Sequence, residues 1–288
     1  MHLHFHKYHG LGNDFALIDA RSLTLDFAGD LAVRLCDRHT GIGGDGLLLW
    51  TGTAEQPRMQ VVNADGSVPE MCGNGIRCFV KHIADHFQRD ATSIAVETGA
   101  GLLRCGVERG ADGKVATVAV AMGRPTFEPR RVPIQGSKPL IDATIDGIDA
   151  ALRWSAVGIG NPHVITLSPV TLPQRAELGP LLSRHPLFPN ATNVEFVQVL
   201  APADDGTPRI QVDVYERGCG WTQACGTGAT AAAFAAVRLG VLPEARELAV
   251  RLPGGWLGIT VGKDDATTMR GPATHVYDGD IDLGVGLS

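Results

Sequence analysis

Two cysteines occupy matching places in two segments of similar sequence. Residues 63–76 read N-A-D-G-S-V-P-E-M-C-G-N-G-I, and residues 216–229 read E-R-G-C-G-W-T-Q-A-C-G-T-G-A. One offset of 153 positions relates both the segments and their cysteines, Cys72 and Cys225. Each cysteine opens a C-G-x-G motif that runs into a helix-compatible stretch. This self-similarity predicts two related halves with one thiol each.

A thiol directly before a helix ionises more readily, because the unpaired N–H groups of the first helical turn favour a negative charge. If two such thiols face one carbon, a thiolate can remove a proton from one side while a thiol returns one from the other. These steps invert a stereocentre without a cofactor, and the pair titrates as a unit. The same N–H groups can hold an α-carboxylate and stabilise the carbanion.

Polar residues in and near these motifs are candidates for binding a substrate or tuning the thiols. His163 and Glu216 can shift the pKa of the thiol pair. Arg217 can clamp a second carboxylate, although a surface ion pair explains it equally well. Asparagines in such contexts are individually typical of turns, but together they suit an ammonium and a carboxylate group. They are Asn13, Asn63, Asn74, Asn161 and Asn193.

Short strands around two helices must position these residues. A stripe of apolar residues predicts a helix over 74–87, and a nearly all-apolar run predicts a buried helix over 227–239 that stops at Gly240. Shorter helices are predicted over 29–37, with Asp30 as the N-cap, and over 176–185. Alternating or β-branched runs predict strands. They are 14–19, 57–62, 93–98, 114–121, 195–200, 209–215, 247–252 and 256–261.

Strands that surround one buried helix, twice over, predict an α+β fold of two similar lobes. The segment 122–140, which is rich in proline, glycine and basic residues, is the predicted boundary. At 288 residues the chain is long enough for one large domain or two ordinary ones.

The composition excludes several classes of function. A formal charge of −6, with dispersed basic residues, is unlike a nucleic-acid-binding or membrane-surface protein. The N-terminus has no apolar signal region, and no run approaches the roughly 18 apolar residues of a membrane helix. We therefore expect a cytoplasmic protein with reduced thiols. Cys36 and Cys105 lie in apolar stretches and are predicted to pack in the core.

Metal and cofactor sites are weaker interpretations. Cys72/Cys78 and Cys219/Cys225 each have five intervening residues, whereas zinc motifs usually have ~2–4. Cys78 also lies inside a predicted helix. No pyridoxal-phosphate lysine motif or phosphate-binding glycine loop is evident, so no cofactor and no metal are predicted. Four N-terminal histidines are interpreted as one solvated strand face, with metal binding as the alternative. They are His2, His4, His6 and His9.

Nine motifs along the whole chain resemble those of the diaminopimelate epimerases. They are H-G-L-G-N-D-F (9–15), R-H-T-G-I-G-G-D-G (38–46), N-A-D-G-S (63–67), C-G-N-G-I-R-C (72–78), G-N-P-H (160–163), T-N-V-E-F (192–196), Y-E-R-G (215–218), A-C-G-T-G (224–228) and A-T-H-V-Y-D-G (273–279). The resemblance implies two pseudo-symmetric lobes, each a mostly antiparallel, barrel-like sheet around a central helix. It places 1–121 plus 271–288 in the lobe of Cys72 and 122–270 in the lobe of Cys225.

The resemblance also implies an activity and its residues. The activity is the interconversion of LL- and meso-diaminopimelate, on the route to lysine and peptidoglycan, with Cys72 and Cys225 as the acid/base pair. His163 and Glu216 match positions that modulate the thiols, and Tyr277 matches a tyrosine at a homodimer interface. The substrate-binding positions are matched by Asn13, Asn63, Gly73, Asn74, Asn161, Asn193, Glu216, Arg217, Gly226 and Thr227.

Two residues depart from the family pattern. Many members have a substrate-binding glutamine in the place of Gly46, and many have glutamate in the place of Trp221. At Gly46 we therefore expect the substrate contact of that glutamine to be absent or to be supplied by another group. At Trp221 we expect the pocket wall or the mobility of the second lobe to differ. Neither departure affects the predicted acid/base pair.

Three rival functions are compatible with two thiols or with a ligand site. A proline or hydroxyproline racemase would use the same two-thiol chemistry but has no need of Arg217 and several asparagines for a second head group. A thiol redox protein would use Cys72 and Cys225 as a reversible disulfide, whereas we expect that disulfide to inactivate an epimerase. An amino-acid-binding protein would keep its function after Cys72→Ala.

Overall fold

The computed structural model describes residues 2–23 and 28–283. The chain divides into two compact units, residues 1–120 with 271–288 and residues 121–270. Among the described residues, no helix combines the length and the apolar character needed to cross a membrane.

The first unit wraps a sheet around a buried helix, α2. This helix contacts β1, β2, β4, β5 and β6, and its apolar stripe, which includes Ile76, Phe79 and Ile83, is fully buried. The strands follow the order β16-β1-β2-β3-β4-β5-β6-β7. The elements are β1 (His2–Gly10), β2 (Asn13–Asp19), α1 (Ala28–Cys36), β3 (Gly46–Gly52), β4 (Pro57–Asn63), α2 (Gly73–His86), β5 (Ser93–Thr98), β6 (Gly101–Arg109), β7 (Val115–Gly123) and, from the end of the chain, β16 (Thr274–Asp282).

The second unit surrounds helix α4 in the same manner. This alanine-rich helix contacts β8, β9, β10, β11, β13 and β14, which explains why it is apolar nearly all round. The strands follow the order β15-β14-β13-β11-β10-β9-β8, with β12 beside β11. The elements are β8 (Ser155–Gly158), β9 (Pro162–Thr166), α3 (Leu172–Ser183), β10 (Asn193–Leu200), β11 (Arg209–Glu216), β12 (Gly220–Trp221), α4 (Gly226–Arg238), β13 (Glu247–Leu252), β14 (Gly255–Val261) and β15 (Thr267–Pro272).

The two units repeat the same succession of elements and pairings. In the first, β2 and β3 are parallel, β4 returns antiparallel, and β4 pairs parallel with β5. In the second, β9 and β10 are parallel, β11 returns antiparallel, and β11 pairs parallel with β13. The remaining described pairings are antiparallel. The predicted α+β class with two similar, mostly antiparallel halves is confirmed.

The strands were predicted correctly, whereas the predictions for the starts of helices α1 and α3 were wrong. All eight predicted runs overlap strands. Asp30 is not an N-cap, because α1 has already begun at Ala28 and Asp30 lies in its first turn. Helix α3 begins four residues before the predicted 176, where the Thr171 N–H donates to the Gln174 side chain at 2.9 Å. Cys36 and Cys105 are buried, as predicted.

A buried ionic network joins α2 to the strands around it. The Asp85 carboxylate accepts hydrogen bonds from Lys81 Nζ at 2.9 Å and from the Val115 N–H at 2.8 Å. Arg109 also approaches it, at 3.4 Å. The side chains of Lys81 and Asp85 are only 9% and 11% exposed, so the loss of one partner leaves a desolvated charge.

Replacement of Asp85 by alanine should therefore lower the free energy of unfolding by about 3 kcal/mol. Asp19→Ala is the matched control, because it breaks a pair with Arg21 whose side chains are 45% and 41% exposed. That change should cost less than about 1 kcal/mol. Urea unfolding of both variants measures the difference, and equal costs would contradict the assignment of Asp85 as a buried anchor.

Candidate active site

Cys72 is the N-cap of helix α2. Its backbone is extended (φ −133°, ψ 119°), and its sulfur accepts the Gly75 N–H at 3.4 Å. A Cβ added at Gly75 would lie 2.8 Å from Leu48 Cδ2 and 3.4 Å from Cys72 Cβ. Glycine at this position therefore lets the first turn approach both the sulfur and β3. The half-buried thiol meets the N–H end of the helix, which favours negative charge.

Amide side chains surround this thiol. Asn13 Oδ1 lies 4.0 Å from Cys72 Sγ and accepts a hydrogen bond from Asn74 Nδ2 at 3.0 Å. Asn13 Nδ2 donates to Asp45 at 2.7 Å, and Asn74 Oδ1 accepts from the fully buried Arg77 at 2.9 Å. The structure thus brings the predicted residues Asn13 and Asn74 to Cys72. It also adds two charged residues that sequence analysis did not assign.

Strand register brings Gly46 and Asn63 to one end of the sheet. Gly46 begins β3 and lies opposite Asn63, the last residue of β4, while β2 begins nearby with Asn13. A Cβ at Gly46 would lie 2.7 Å from the Val62 carbonyl oxygen. A larger residue at Gly46 would therefore require a backbone shift. The Asn63 amide donates to Ser67 Oγ at 2.9 Å, which is a turn contact.

Cys225 is the N-cap of helix α4, with nearly the same geometry as Cys72. Its backbone is extended (φ −123°, ψ 108°), and its sulfur accepts the Gly228 N–H at 3.4 Å. Thr227 Oγ1 lies 3.5 Å from the sulfur. A Cβ at Gly228 would lie 2.8 Å from Glu195 Oε1 and 3.2 Å from Cys225 Sγ, so the helix start is packed against both. In contrast to Cys72, this thiol is buried.

A chain of hydrogen bonds leads from Cys225 into the interior of the second unit. Asn161 Nδ2 donates to Thr227 Oγ1 at 3.4 Å, and Asn161 Oδ1 lies 2.9 Å from His163 Nε2. His163 Nδ1 lies 2.6 Å from Glu195 Oε1, and both side chains are fully buried. The predicted residues Asn161, His163 and Thr227 therefore form one network with Cys225.

The environment of Cys225 opposes ionisation of its thiol. Burial raises the pKa of Cys225 well above its ordinary value, and the negative charges of Glu216 and Glu195 add to the increase. The hydrogen bonds of Thr227 and of the Gly228 N–H act in the opposite direction but are weaker influences. The helix N-terminus predicted a lowered thiol pKa. At Cys225, burial and two carboxylates raise the thiol pKa and outweigh the effect of the helix N-terminus.

Asn193, Glu216 and Arg217 lie at neighbouring strand ends. Asn193 begins β10 opposite His163 of β9, and its Oδ1 accepts the Arg217 N–H at 2.9 Å. Glu216 ends β11 and accepts from Thr222 Oγ1 at 2.5 Å. The Arg217 side chain is exposed and donates to the Asn190 carbonyl at 3.0 Å.

Two further residues from the sequence analysis, Trp221 and Tyr277, lie on the surface of their units. Trp221 is 46% exposed, packs edge-on against Tyr215 with centroids 5.4 Å apart, and lines a groove with Leu172 and Pro253. Tyr277 of β16 is 44% exposed and meets Phe5 edge-on at 5.9 Å. It shares no described contact with the residues around Cys72.

Near Cys225, sequence analysis missed Glu195. It is the only charged residue in β10, where its immediate neighbours Val194 and Phe196 are buried and apolar, and a fully buried charge requires a partner. Burial raises the pKa of Glu195, an effect that His163 opposes and Glu216 reinforces. A lone glutamate in an apolar strand was the available signal, but its partner lies 32 residues away in the chain.

The chain shares its fold with solved structures of low sequence identity. A protein of the PhzF family from Bacillus anthracis, described as a phenazine biosynthesis protein, superposes with a TM-score of 0.72 at 15% identity, covering 98% of this chain and 100% of that one. A hydroxyproline epimerase from Agrobacterium vitis superposes with a TM-score of 0.63 at 14% identity, covering 97% and 91%. At these identities the likeness shows a shared fold, the duplicated α+β architecture of this class.

The chain belongs to the diaminopimelate epimerase family. The family model described as "Diaminopimelate epimerase" matches residues 5–128 and 155–276. A protein of that name from Desulforudis audaxviator is 45% identical, with 96% of this chain and 98% of the relative aligned. Another from Moorella thermoacetica is 42% identical over 98% and 100%. The family predicted from the nine motifs is confirmed.

Removing a nearby carboxylate should make Cys225 easier to ionise. Because Glu216 raises the pKa of the thiol more than Glu195 does, Glu216→Gln should lower this pKa more than Glu195→Gln. Both variants should then react with iodoacetamide at Cys225 at a lower pH than the unmodified chain. Glu177→Gln, on the exposed side of α3, is the control and should leave the profile unchanged. Identical profiles for all three variants would contradict the electrostatic account.

Proposed function

We propose that this protein is an isomerase that converts LL-diaminopimelate to meso-diaminopimelate without a cofactor, with Cys72 and Cys225 as its acid/base pair. The observation that carries this proposal is the duplicated N-cap: each cysteine precedes a buried helix and accepts the N–H of the third residue after it. Membership of the diaminopimelate epimerase family supports the substrate. The lobes we propose are residues 1–121 with 271–288 and residues 122–270.

The reaction requires the two thiols to reach opposite faces of one α-carbon. A thiolate takes the α-proton and becomes a thiol, and the electron pair of the broken C–H bond remains on the substrate. The other thiol then donates its proton to the opposite face and becomes a thiolate. Atoms and charge balance over the conversion, which leaves the protonation states of the two cysteines exchanged. Proton exchange with water restores the starting pair, and the reverse reaction begins from the exchanged pair.

The α-hydrogen of an amino acid is a weak acid, so the carbanion must be stabilised. The first-turn N–H groups of α2 and α4 suit the reacting carboxylate, and they lie at Gly73, Asn74, Gly226 and Thr227. Dipoles that are already aligned by a buried helix need no reorganisation during the reaction. They are stronger donors to a carboxylate that gains negative charge than to the ground state.

The second amino-acid group of diaminopimelate carries an ammonium and a carboxylate, so it needs one negatively charged and one positively charged partner. Glu216 suits its ammonium, and the exposed guanidinium of Arg217 suits its carboxylate. The amides of Asn13, Asn63, Asn161 and Asn193 complete the proposed set. This provision for a distal group favours diaminopimelate over proline or hydroxyproline, which lack one. The hydroxyproline epimerase shares the fold at 14% identity and says nothing about this chain's substrate.

The surroundings of the two thiols suggest how their roles are divided at rest. Burial and two carboxylates raise the pKa of Cys225, which keeps it a thiol. His163, between Asn161 and Glu195, holds that arrangement in place. We therefore propose Cys225 as the resting proton donor and Cys72 as the resting base.

We further propose a cytoplasmic homodimer in which Tyr277 lies at the interface. A tyrosine that is 44% exposed and held edge-on by Phe5 offers a rigid apolar surface to a partner. The mass in solution by light scattering tests this proposal, and a single-chain mass at micromolar concentration would contradict it.

Single replacements of the two cysteines test the proposed chemistry. Cys72→Ser and Cys225→Ser should each reduce epimerisation by about 10²-fold or more, because a serine hydroxyl ionises far less readily than a thiol. Chromatographic separation of the LL and meso isomers measures the loss. Cys219→Ser, which changes an exposed cysteine of the same unit as Cys225, is the control and should turn over like the unmodified chain.

A second assay separates lost chemistry from lost folding. Elimination of halide from a β-halogenated analogue needs one base and no opposing acid, so a folded single variant should retain it in one orientation. Near-normal epimerisation by both serine variants would show that the two-thiol assignment is wrong.

A further inference from the structure

A row of histidines on β1 faces a row of aspartates on β16. Alternate residues of β1 and β16 lie directly opposite one another, on one face of the sheet. Their side chains also meet: His4 Nδ1 lies 2.9 Å from Asp280 Oδ1, and His6 Nδ1 lies 2.5 Å from Asp278 Oδ1. The opposed pairs are His2 with Asp282, His4 with Asp280, and His6 with Asp278.

Three of these residues bring ligand atoms together at one point. His4, His6 and Asp278 each offer one atom, and all three atoms lie within 4.8 Å of one another. Two imidazole nitrogens and a carboxylate oxygen are a ligand set that zinc accepts, at about 2.0–2.2 Å each. Tetrahedral angles at such distances place the ligand atoms about 3.4 Å apart. Small side-chain rotations therefore suffice to close the set around an ion.

Neighbouring groups hold two of the three ligands in position. His275 Nε2 lies 2.8 Å from the same Asp278 oxygen that meets His6. The His6 ring packs against His82 of α2, with centroids 4.5 Å apart, and its side chain is only 21% exposed. His4 is more open, with its side chain 52% exposed. A site with two supported ligands and one accessible ligand is preorganised and still open to solvent.

We propose that His4, His6 and Asp278 bind a divalent transition-metal ion of the zinc class, with water completing its coordination. Strand β16 stands at the end of the sheet order of its unit and pairs there with β1. The ion would fasten β16, the last strand among the described residues, to β1. The site contains none of the residues assigned to epimerisation, and Tyr277 lies next to Asp278 on the opposite face of β16.

Titration of chelator-treated full-length protein with Zn²⁺ tests the site by calorimetry and by the rise in Tm. The unmodified chain should bind one ion per chain and gain thermal stability with increasing Zn²⁺. His4→Gln, His6→Gln and Asp278→Asn should each weaken binding about tenfold or more. His2→Gln is the matched control: it removes a histidine from the same strand face, outside the set, and should bind like the unmodified chain.

Because cysteines also bind zinc, Co²⁺ serves as a second probe. Imidazole and carboxylate ligands should give weak visible bands without the intense near-ultraviolet band of cobalt–thiolate bonds. That intense band would assign the ion to the thiols and overturn the proposal. Equal weakening by His2→Gln and His4→Gln, or no saturable binding by the unmodified chain, would do the same. Epimerase turnover of the metal-free variants confirms that they are folded.

Discussion

The sulfur of each proposed catalytic cysteine sits at the N-terminus of a buried helix, and the rest of the structure maintains that contact. The N–H of the third residue after each cysteine points at its sulfur, at 3.4 Å in both units. Glycine at that position avoids a close contact, because a side chain there would force Leu48 in the first unit or Glu195 in the second to shift. The helix start, the glycine and the sulfur therefore form one compact arrangement, and strands must enclose it.

The enclosure is built twice from the same succession of strands and helices. Each unit directs a parallel pair and its antiparallel return strand toward the cysteine, so polar residues at the strand ends collect there. Through this repeat, Gly46 at the start of β3 corresponds to Asn193 at the start of β10. The second unit has the side-chain amide of Asn193 at this position, which accepts the Arg217 N–H. The first unit has a glycine there, which offers no side chain.

The two halves differ in the charge around their thiols. Cys225 is buried beside carboxylates, whereas Cys72 is half-buried among amides, with Arg77 behind Asn74. A two-base enzyme needs one thiol and one thiolate, and two identical environments would not distinguish them. The fully buried pair of His163 and Glu195 belongs to the second half.

Much of this was predictable from the sequence, because local patterns and motifs are read along the chain. The alternation of residues 57–62 and the apolar stripe of 74–87 indicated a strand and a helix that the structure contains. The start of α3 was missed, since its cap at Thr171 lies before two prolines that obscure the helical pattern. Glu195 was missed because its role depends on parallel pairing with the strand of His163, which no local signal reveals.

The most direct test of two-thiol epimerisation is proton NMR of the reduced, unmodified protein with LL-diaminopimelate in D₂O, without added cofactor. Two separate acid/base groups should place solvent deuterium at one α-carbon of the meso product, while the LL substrate that remains stays unlabelled at early times. Equal early labelling of substrate and product would indicate a single base, and no exchange at all would show that the chain does not carry out this reaction. Either result would contradict the account.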